Sequence, residues 1–179
     1  MGEISRRVLL TGGAAMTTMA LSPETTAWDF SFTSIEDGTL KLADFRGRVL
    51  LVTNTASFCG YTYQYEQLEK LHASLQPGGL TVVGVPSQDF NQESASNAEV
   101  KQFCEATFGV EFPMAGLSHV RGAQAHPFYR WVKAAKDWEP QWNFHKVLIG
   151  RDGRIRGLFG SADEPAGARL RNAVDAALA

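Results

Sequence analysis

Cys59 is the residue whose type and position most clearly predict chemistry in this sequence. It follows an apolar run at 49–52 and precedes a stretch, beginning near Thr62, in which apolar residues recur at helical spacing. A cysteine just before a helix faces unpaired backbone N–H groups and the positive end of the helix dipole, and both favour thiolate over thiol. Gly60 allows a small substrate to approach the backbone closely. The sequence therefore predicts a nucleophilic thiol, although a buried and inert cysteine is the plainer alternative.

The elements that must position Cys59 follow from hydrophobic periodicity and turn residues. The predicted strands are 30–32, 40–42, 49–52, 80–85, 147–149 and 155–159, and the predicted helices are 62–75, 97–108, 127–135 and 166–178. Strands that alternate with helices favour an α/β fold with a parallel central portion, and the late hairpin adds an antiparallel edge. We therefore expect a thioredoxin-like fold: a central mixed sheet with an N-terminal β-hairpin and flanking helices. In such sheets the reactive site lies beyond the carboxyl ends of the strands.

Composition bounds the class of protein. The chain has 179 residues, which suits one domain, and its 44% hydrophobic and 20% charged residues exclude disordered and fibrous classes. A net charge of −2 gives no basic surplus for nucleic-acid binding. No apolar run approaches the ~20 residues that span a bilayer, so no membrane span is expected. The two cysteines, Cys59 and Cys104, are too few for a disulfide-dense scaffold or a four-cysteine zinc site.

Residues 1–27 resemble a bacterial twin-arginine export signal. Ser5-Arg6-Arg7-Val8-Leu9-Leu10 has the S-R-R-x-Φ-L form, a mildly apolar stretch follows, and Thr25 and Ala27 place small residues around a cleavage site. The alternative is an N-terminal helix with two solvated arginines. We expect residues 28–179 to form the working domain, located in the periplasm or otherwise exported, or in the cytoplasm if the signal does not function.

Four blocks of the sequence resemble the glutathione peroxidase family, whose first motif is N-V-A-S-x-C/U-G-x-T. The four blocks, in chain order, are NTASFCGYT at 54–62, GVPSQDFNQE at 84–93, FCEATFGVEFP at 103–113 and WNFHKVL at 142–148. The resemblance covers about residues 28–179, and the agreement of separate blocks in order and spacing makes it specific. It implies the cysteine-containing, compact form of the family, because the segment 134–141 lacks the longer insertion of tetrameric members.

The resemblance implies a catalytic set carried over residue by residue. Cys59 would be the peroxidatic thiol, and Gln92, Trp142 and Asn143 would surround its sulfur with uncharged hydrogen-bond donors. Such donors stabilise a thiolate and the departing peroxide oxygen without adding a cation. The block that contains Gln92 is one residue short, which leaves Gln88 as a rival. The same block carries Asp89, which we expect to point away from the sulfur. Without the family context, Trp142 would be assigned to core packing and Gln92 to a solvated loop.

Cys104 is the second candidate for redox chemistry. In family members without selenium, a cysteine in this block is the resolving cysteine, which condenses with the oxidised Cys59 to a disulfide. A rigid helix would hold Cys104 too far away, because a disulfide needs Cα atoms within about 7 Å, so local unfolding of 97–108 would be required. The alternative is that Cys104 is a core residue and Cys59 works alone with glutathione.

The resemblance implies a thiol peroxidase that reduces hydrogen peroxide and organic or lipid hydroperoxides in defence against oxidative stress. No bound cofactor or metal is expected; the reductant would be glutathione or a thioredoxin-like protein, and the chain would be a monomer. One alternative is a peroxide-responsive sensor that passes a disulfide to a partner protein. Another is a non-catalytic module in which Cys59 and Cys104 form a permanent clasp. The electron donor is not determined by the sequence, since an exported protein meets little glutathione or thioredoxin.

Overall fold

The computed structural model describes residues 25–179. Within that range the chain forms six strands and four α-helices. In chain order they are β1 (Ser31–Thr33), β2 (Thr39–Lys41), β3 (Val49–Thr55), α1 (Gln64–Leu75), β4 (Leu80–Pro86), α2 (Asn97–Phe108), α3 (Pro127–Lys136), β5 (Lys146–Ile149), β6 (Ile155–Phe159) and α4 (Ala168–Leu178). Single turns of 3-10 helix at Ala27–Asp29 and Leu42–Phe45 flank the first hairpin. Element type and order agree with the expectation from sequence.

The strands form the predicted mixed sheet and a separate hairpin. Four strands pair in the order β4-β3-β5-β6, with β3 and β4 parallel and the other two pairs antiparallel. β1 and β2 form a two-stranded antiparallel sheet, in which Asp37 and Gly38 supply the positive φ angles of the turn. The thioredoxin-like architecture is confirmed, with a central mixed sheet, an N-terminal hairpin and flanking helices.

Two core layers cover the two faces of the four-stranded sheet. Successive side chains of a strand point to opposite faces, so Val49 and Leu51 of β3 pack with α1, α2 and α4, whereas Leu50 and Val52 pack with α3 and the N-terminal hairpin. All seven residues of β3 are buried. This central strand therefore holds its carboxyl end, and the turn that follows it, in a fixed position.

Two boundaries differ from the sequence expectation near Cys59. β3 continues to Thr55 rather than ending at Val52, because its polar last residues keep pairing with β4. α1 begins at Gln64 rather than near Thr62, because the backbone N–H and the hydroxyl of Thr62 both donate to the Cys59 carbonyl and close a turn there. The result is a turn of eight residues, 56–63, between strand and helix.

The amino-terminal end of the described chain is part of the fold. Thr26 caps the first turn by donating its backbone N–H to the Asp29 carboxylate (2.8 Å), and Ala27 is fully buried with its N–H donating to the Gly153 carbonyl (2.9 Å). The proposed export signal at 1–27 lies outside the described residues except for its last three, so it stays a prediction. None of the helices within 25–179 combines the length and apolar character that crossing a membrane needs.

Candidate active site

Cys59 lies in the turn that joins β3 to α1. Its residue surface is 6% exposed, and the Tyr61 backbone N–H points at its sulfur, with N and Sγ 3.5 Å apart. The Cys59 carbonyl is held by Thr62, as described above. The turn thus holds the sulfur at the carboxyl end of the sheet, beside a backbone donor, which is the placement that the sequence predicted.

The segment after β4 is bonded directly to this turn. The Phe58 backbone N–H donates to the Gln92 carbonyl (2.9 Å), and the Ser57 N–H donates to Oε1 of Glu93 (3.1 Å). The same carboxylate oxygen accepts the N–H of Ser94 (2.8 Å). Glu93 is buried, and burial raises the pKa of its carboxyl above the usual value. Gln92 is therefore fixed next to the residue that precedes Cys59.

Asn54, near the end of β3, holds the turn that carries Trp142 and Asn143. Its Nδ2 donates to the Trp142 carbonyl (3.0 Å), and its Oδ1 accepts the His145 N–H (3.0 Å). Its backbone carbonyl accepts the N–H of Phe144 (2.7 Å), a residue with a φ of +58°. One buried amide side chain therefore fixes the Trp-Asn pair against the strand that leads to Cys59.

The structure brings Gln92 and Asn143 into direct contact, because Nδ2 of Asn143 donates to Oε1 of Gln92 (2.8 Å). Asn143 is fully buried, and its Oδ1 makes no hydrogen bond within the described chain. The rival glutamine, Gln88, is exposed and donates to the Ser94 carbonyl (3.0 Å) instead. Of the two glutamines, Gln92 is therefore the one whose side chain contacts Asn143.

Trp142 lies at the surface, next to Asn143 in the chain. Its ring is 41% exposed and packs on Phe90, with ring centroids 5.4 Å apart. Among residues 25–179, the large hydrophobic side chains that are exposed are Phe58, Tyr63 and Trp142. Phe58 and Tyr63 belong to the Cys59 turn, so the exposed apolar surface is concentrated on the segments that form the site. Such a concentration is typical of a surface that contacts apolar ligands or partners.

Asp89 turns away from the turn of Cys59, as expected, but it does not face solvent. Its carboxylate accepts the backbone N–H groups of Val120 (2.6 Å) and Arg121 (3.2 Å) and contacts Nδ1 of His119 (2.6 Å). The side chain is 10% exposed. Asp89 therefore organises the segment before α3, and its charge is used there.

Cys104 lies on α2 and is fully buried in the same core layer as Cys59. Both cysteines are free thiols. Burial raises the pKa of the Cys104 thiol to about 12, while the neighbouring Tyr65 hydroxyl lowers it in part. In this conformation Cys104 is a neutral thiol held inside a helix. Its use as a nucleophile would require the local opening that the sequence analysis anticipated.

Three buried residues with hydrogen bonds to these segments or to the residues next to them were given no role from the sequence. Asn54, Glu93 and Lys146 each lie in one of the four motif blocks, so the sequence held a signal for their presence. Glu93 bonds Ser57, which is 36 residues away along the chain, and Asn54 bonds Trp142, which is 88 residues away, and the sequence does not pair them. Across the described part of the chain, no cluster of three or more histidine, cysteine or acidic side chains is arranged to hold a metal ion.

A thioredoxin-like sheet carries a single cysteine in the turn before a helix, and the segments of Gln92, Trp142 and Asn143 are bonded to that turn or to the strand before it, an arrangement that fits a thiol-dependent peroxidase. The family model for glutathione peroxidase matches residues 27–133. The chain belongs to the glutathione peroxidase family.

Three comparisons show how close the relationship is. A glutathione peroxidase of Lactococcus lactis is 39% identical over 143 residues, which cover 77% of this chain and 91% of that protein. A protein of Synechocystis named hydroperoxy fatty acid reductase is 35% identical over 158 residues, covering 82% and 94%. A crystal structure described as Trgpx in apo form superposes with a TM-score of 0.70 at 33% identity, covering 86% of this chain and 96% of that one.

Proposed function

We propose that this chain is a thiol peroxidase that reduces hydrogen peroxide and organic hydroperoxides with electrons from a thiol. The observation that carries the proposal is the pair of hydrogen bonds that ties two uncharged amides to the Cys59 turn: the Phe58 N–H donates to the Gln92 carbonyl (2.9 Å), and Asn143 Nδ2 donates to Gln92 Oε1 (2.8 Å). Neutral donors around a sulfur stabilise its anion and the charge that develops on a departing oxygen.

The reaction sequence uses the two cysteines in turn. The Cys59 thiolate attacks one peroxide oxygen, the O–O bond breaks, and the other oxygen leaves as water or alcohol after taking a proton. Cys59 is then a sulfenic acid, which condenses with the Cys104 thiol to form an S–S bond and release water. An external dithiol reduces this disulfide by exchange and restores both thiols. We assign Gln92, Trp142 and Asn143 as the donors of the first step and Cys104 as the resolving cysteine.

We propose that the preferred peroxides carry an apolar chain. Phe58, Tyr63 and Trp142 are 67%, 42% and 41% exposed and offer aromatic contact area on the Cys59 turn and on the segment that carries Asn143. The name of the Synechocystis relative, a hydroperoxy fatty acid reductase, supports this choice. The compact 134–141 segment supports a monomer, and no bound cofactor is required by the reaction sequence.

The identity of the electron donor distinguishes a mechanism in which Cys104 resolves the oxidised Cys59 from one in which Cys59 works alone with glutathione. With a thioredoxin-type donor, wild type should turn over steadily with peroxide, whereas Cys104→Ser should stop after one equivalent and accumulate a sulfenic acid that dimedone traps. Steady-state assays with glutathione, and with thioredoxin plus its reductase, run on both proteins measure this difference. Equal turnover of wild type and Cys104→Ser with thioredoxin would exclude Cys104 as the resolving cysteine.

The sensor and clasp alternatives are tested by the same proteins. A sensor would turn over slowly with either donor, and its Cys104→Ser variant would retain a mixed disulfide with a partner protein. A permanent clasp would need Cys59 and Cys104 joined, whereas both are free thiols here. The Gln92–Asn143 contact also counts against the clasp, because a clasp needs no such donors.

We also propose export through the twin-arginine signal at residues 1–27. The folded state of Thr26 and Ala27 bears on its processing, because cleavage after the buried Ala27 would require local opening of the first turn. Replacing Arg6 and Arg7 by lysine is expected to retain the chain in the cytoplasm of a bacterial host, as measured by fractionation. Mass spectrometry of the wild-type periplasmic product would give the cleaved bond. Equal export of both proteins would contradict the proposal.

A further inference from the structure

Lys146, the first residue of β5, is a fully buried lysine. Its Nζ donates to Oε1 of Gln64 (2.7 Å), to the carbonyl of Phe144 (2.7 Å) and to the carbonyl of Gly160 (3.5 Å). An ammonium group has three hydrogens, so each of these acceptors can take one. All three acceptors are uncharged. Burying a charge without an opposite charge in contact is unfavourable, so this arrangement calls for a role other than stability.

The partners of Lys146 link the two halves of the active site. Gln64 is the buried first residue of α1, the helix that follows the Cys59 turn, and its Nε2 donates to the Ser161 carbonyl (2.7 Å). The Ser161 hydroxyl in turn donates to the Asn143 carbonyl (2.6 Å). Phe144, the second acceptor of Lys146, directly follows Asn143. These bonds form a closed ring between the start of α1 and the turn that carries Asn143.

We propose that Lys146 is a positioning residue for the peroxide reaction, whose ammonium group holds the Trp142–Asn143 turn in place relative to the Cys59 turn. The inference rests on the proposed peroxidase function and adds to it a residue that touches neither peroxide nor sulfur. Misplacement of a donor by about 1 Å is enough to slow a positioned reaction by about 10²-fold. We call the three hydrogen bonds of Lys146, to Gln64, Phe144 and Gly160, the bracket. A small shift of the turn that the bracket holds would therefore change the rate strongly.

We expect the positioning effect of Lys146, and with it the rate of the peroxide reaction, to depend on pH. Burial lowers the pKa of the ammonium to about 7, and the carboxylates of Asp163 and Glu164 oppose that shift. The other titratable groups around it are His145, whose pKa burial lowers to about 4, and Tyr63, whose hydroxyl donates to Glu164. A neutral amine keeps two hydrogens for three acceptors and turns its lone pair towards an oxygen. Loss of the proton should therefore loosen the bracket.

Loss of the Lys146 proton is expected to have opposite effects on the rate and on the free energy of unfolding. Between pH 7 and the ordinary lysine value, the unfolded chain binds a proton at Lys146 that the folded chain has lost. The free energy of unfolding contributed by Lys146 therefore rises with pH in this window. The bracket weakens over the same window, so the rate is expected to fall while stability increases.

The test is the single-turnover reaction of the reduced full-length protein with hydrogen peroxide, followed as loss of the Cys59 thiol between pH 5.5 and 9. Wild type is compared with Lys146→Met, which keeps the length and apolar stem of the side chain, and with Lys70→Met as a control at an exposed lysine. Below pH 7, Lys146→Met is expected to react at least about tenfold more slowly than wild type. The wild-type rate divided by the Lys146→Met rate is expected to fall as the pH rises through about 7. Titrations that the two proteins share cancel in this ratio. Lys70→Met should match wild type throughout.

Several results would overturn the inference. A folded Lys146→Met protein that reacts as fast as wild type at every pH refutes it, and so does a rate ratio that is large but independent of pH, which indicates a merely structural lysine. If Lys146→Met does not fold, carbon-13 titration of the wild-type lysine side chains decides instead. A titration near pH 7 that coincides with the loss of rate supports the bracket, and its absence refutes it. A wild-type protein that does not react with peroxide refutes the peroxidase function itself.

Discussion

Replacement of Cys59 by serine is expected to lower the rate of reaction with hydrogen peroxide by about 10³-fold or more. A serine hydroxyl is not ionised at neutral pH, so the nucleophile of the first step is lost while the shape of the turn is kept. The backbone bonds of the turn, from Thr62 to the carbonyl of residue 59 and from Phe58 to Gln92, do not involve the sulfur. Stopped-flow measurement of peroxide consumption by the reduced protein reads this effect directly.

The matched control for this experiment is Cys104→Ser. It removes the other thiol, which is buried on α2, and leaves the Cys59 turn intact. In a single turnover without reductant, Cys104→Ser should consume peroxide at the wild-type rate. Activity that survives in Cys59→Ser, or a first step that is lost in Cys104→Ser, would show that Cys59 is not the peroxidatic thiol. Either result would contradict the proposed mechanism.

Gln92→Leu is expected to slow oxidation of Cys59 by about 10²-fold, the effect of removing one donor from a site of developing negative charge. Gln92 accepts from Asn143 through Oε1, which leaves its Nε2 group to donate to the sulfur or the peroxide. Leucine keeps the side-chain volume without either function. The measurement is the second-order rate of Cys59 oxidation by peroxide, with circular dichroism to confirm the fold.

Gln88→Leu provides the comparison that tests the assignment. Gln88 is the rival by sequence, but its side chain is exposed and bonded to the Ser94 carbonyl, so its loss should leave the rate unchanged. Because Gln92 and Asn143 share a hydrogen bond, the double variant with Asn143→Leu should cost less than the sum of the two single effects on the activation free energy. Equal rates for Gln92→Leu and Gln88→Leu would contradict the proposed donor group.

The helical spacing of apolar residues predicted α2 with the bounds that the structure has, Asn97–Phe108, and the structure adds a cap at each end. The Ser96 hydroxyl accepts the Glu99 N–H at one end, and Gly109 adopts a left-handed φ of +61° at the other. Both caps act within four residues of the helix end. Boundaries that depend on neighbours in the sequence are readable from it for that reason.

The carboxyl end of β3 was underestimated because its last residues are polar. Thr53, Asn54 and Thr55 break the apolar pattern, yet all three are buried and remain in register with β4. Their pairing depends on a strand that begins 25 residues further along the chain. Hydrophobic periodicity cannot detect a polar strand residue that is buried because of the strands it pairs with. Asn54, which bonds the Trp142 carbonyl, is one of these residues.

The amino-acid sequence by itself determined the fold class and the order of the elements, because hydrophobic periodicity and turn residues are local properties, and its motif blocks identified the candidate site residues through their resemblance to the glutathione peroxidase family. The tertiary structure alone decided which glutamine contacts Asn143, which residues bond each turn and which acceptors the buried Lys146 contacts. Those facts depend on hydrogen bonds between residues that are 51 positions apart for Gln92 and Asn143 and 82 apart for Gln64 and Lys146. Such contacts exist only after the sheet has brought the carboxyl ends of its strands together.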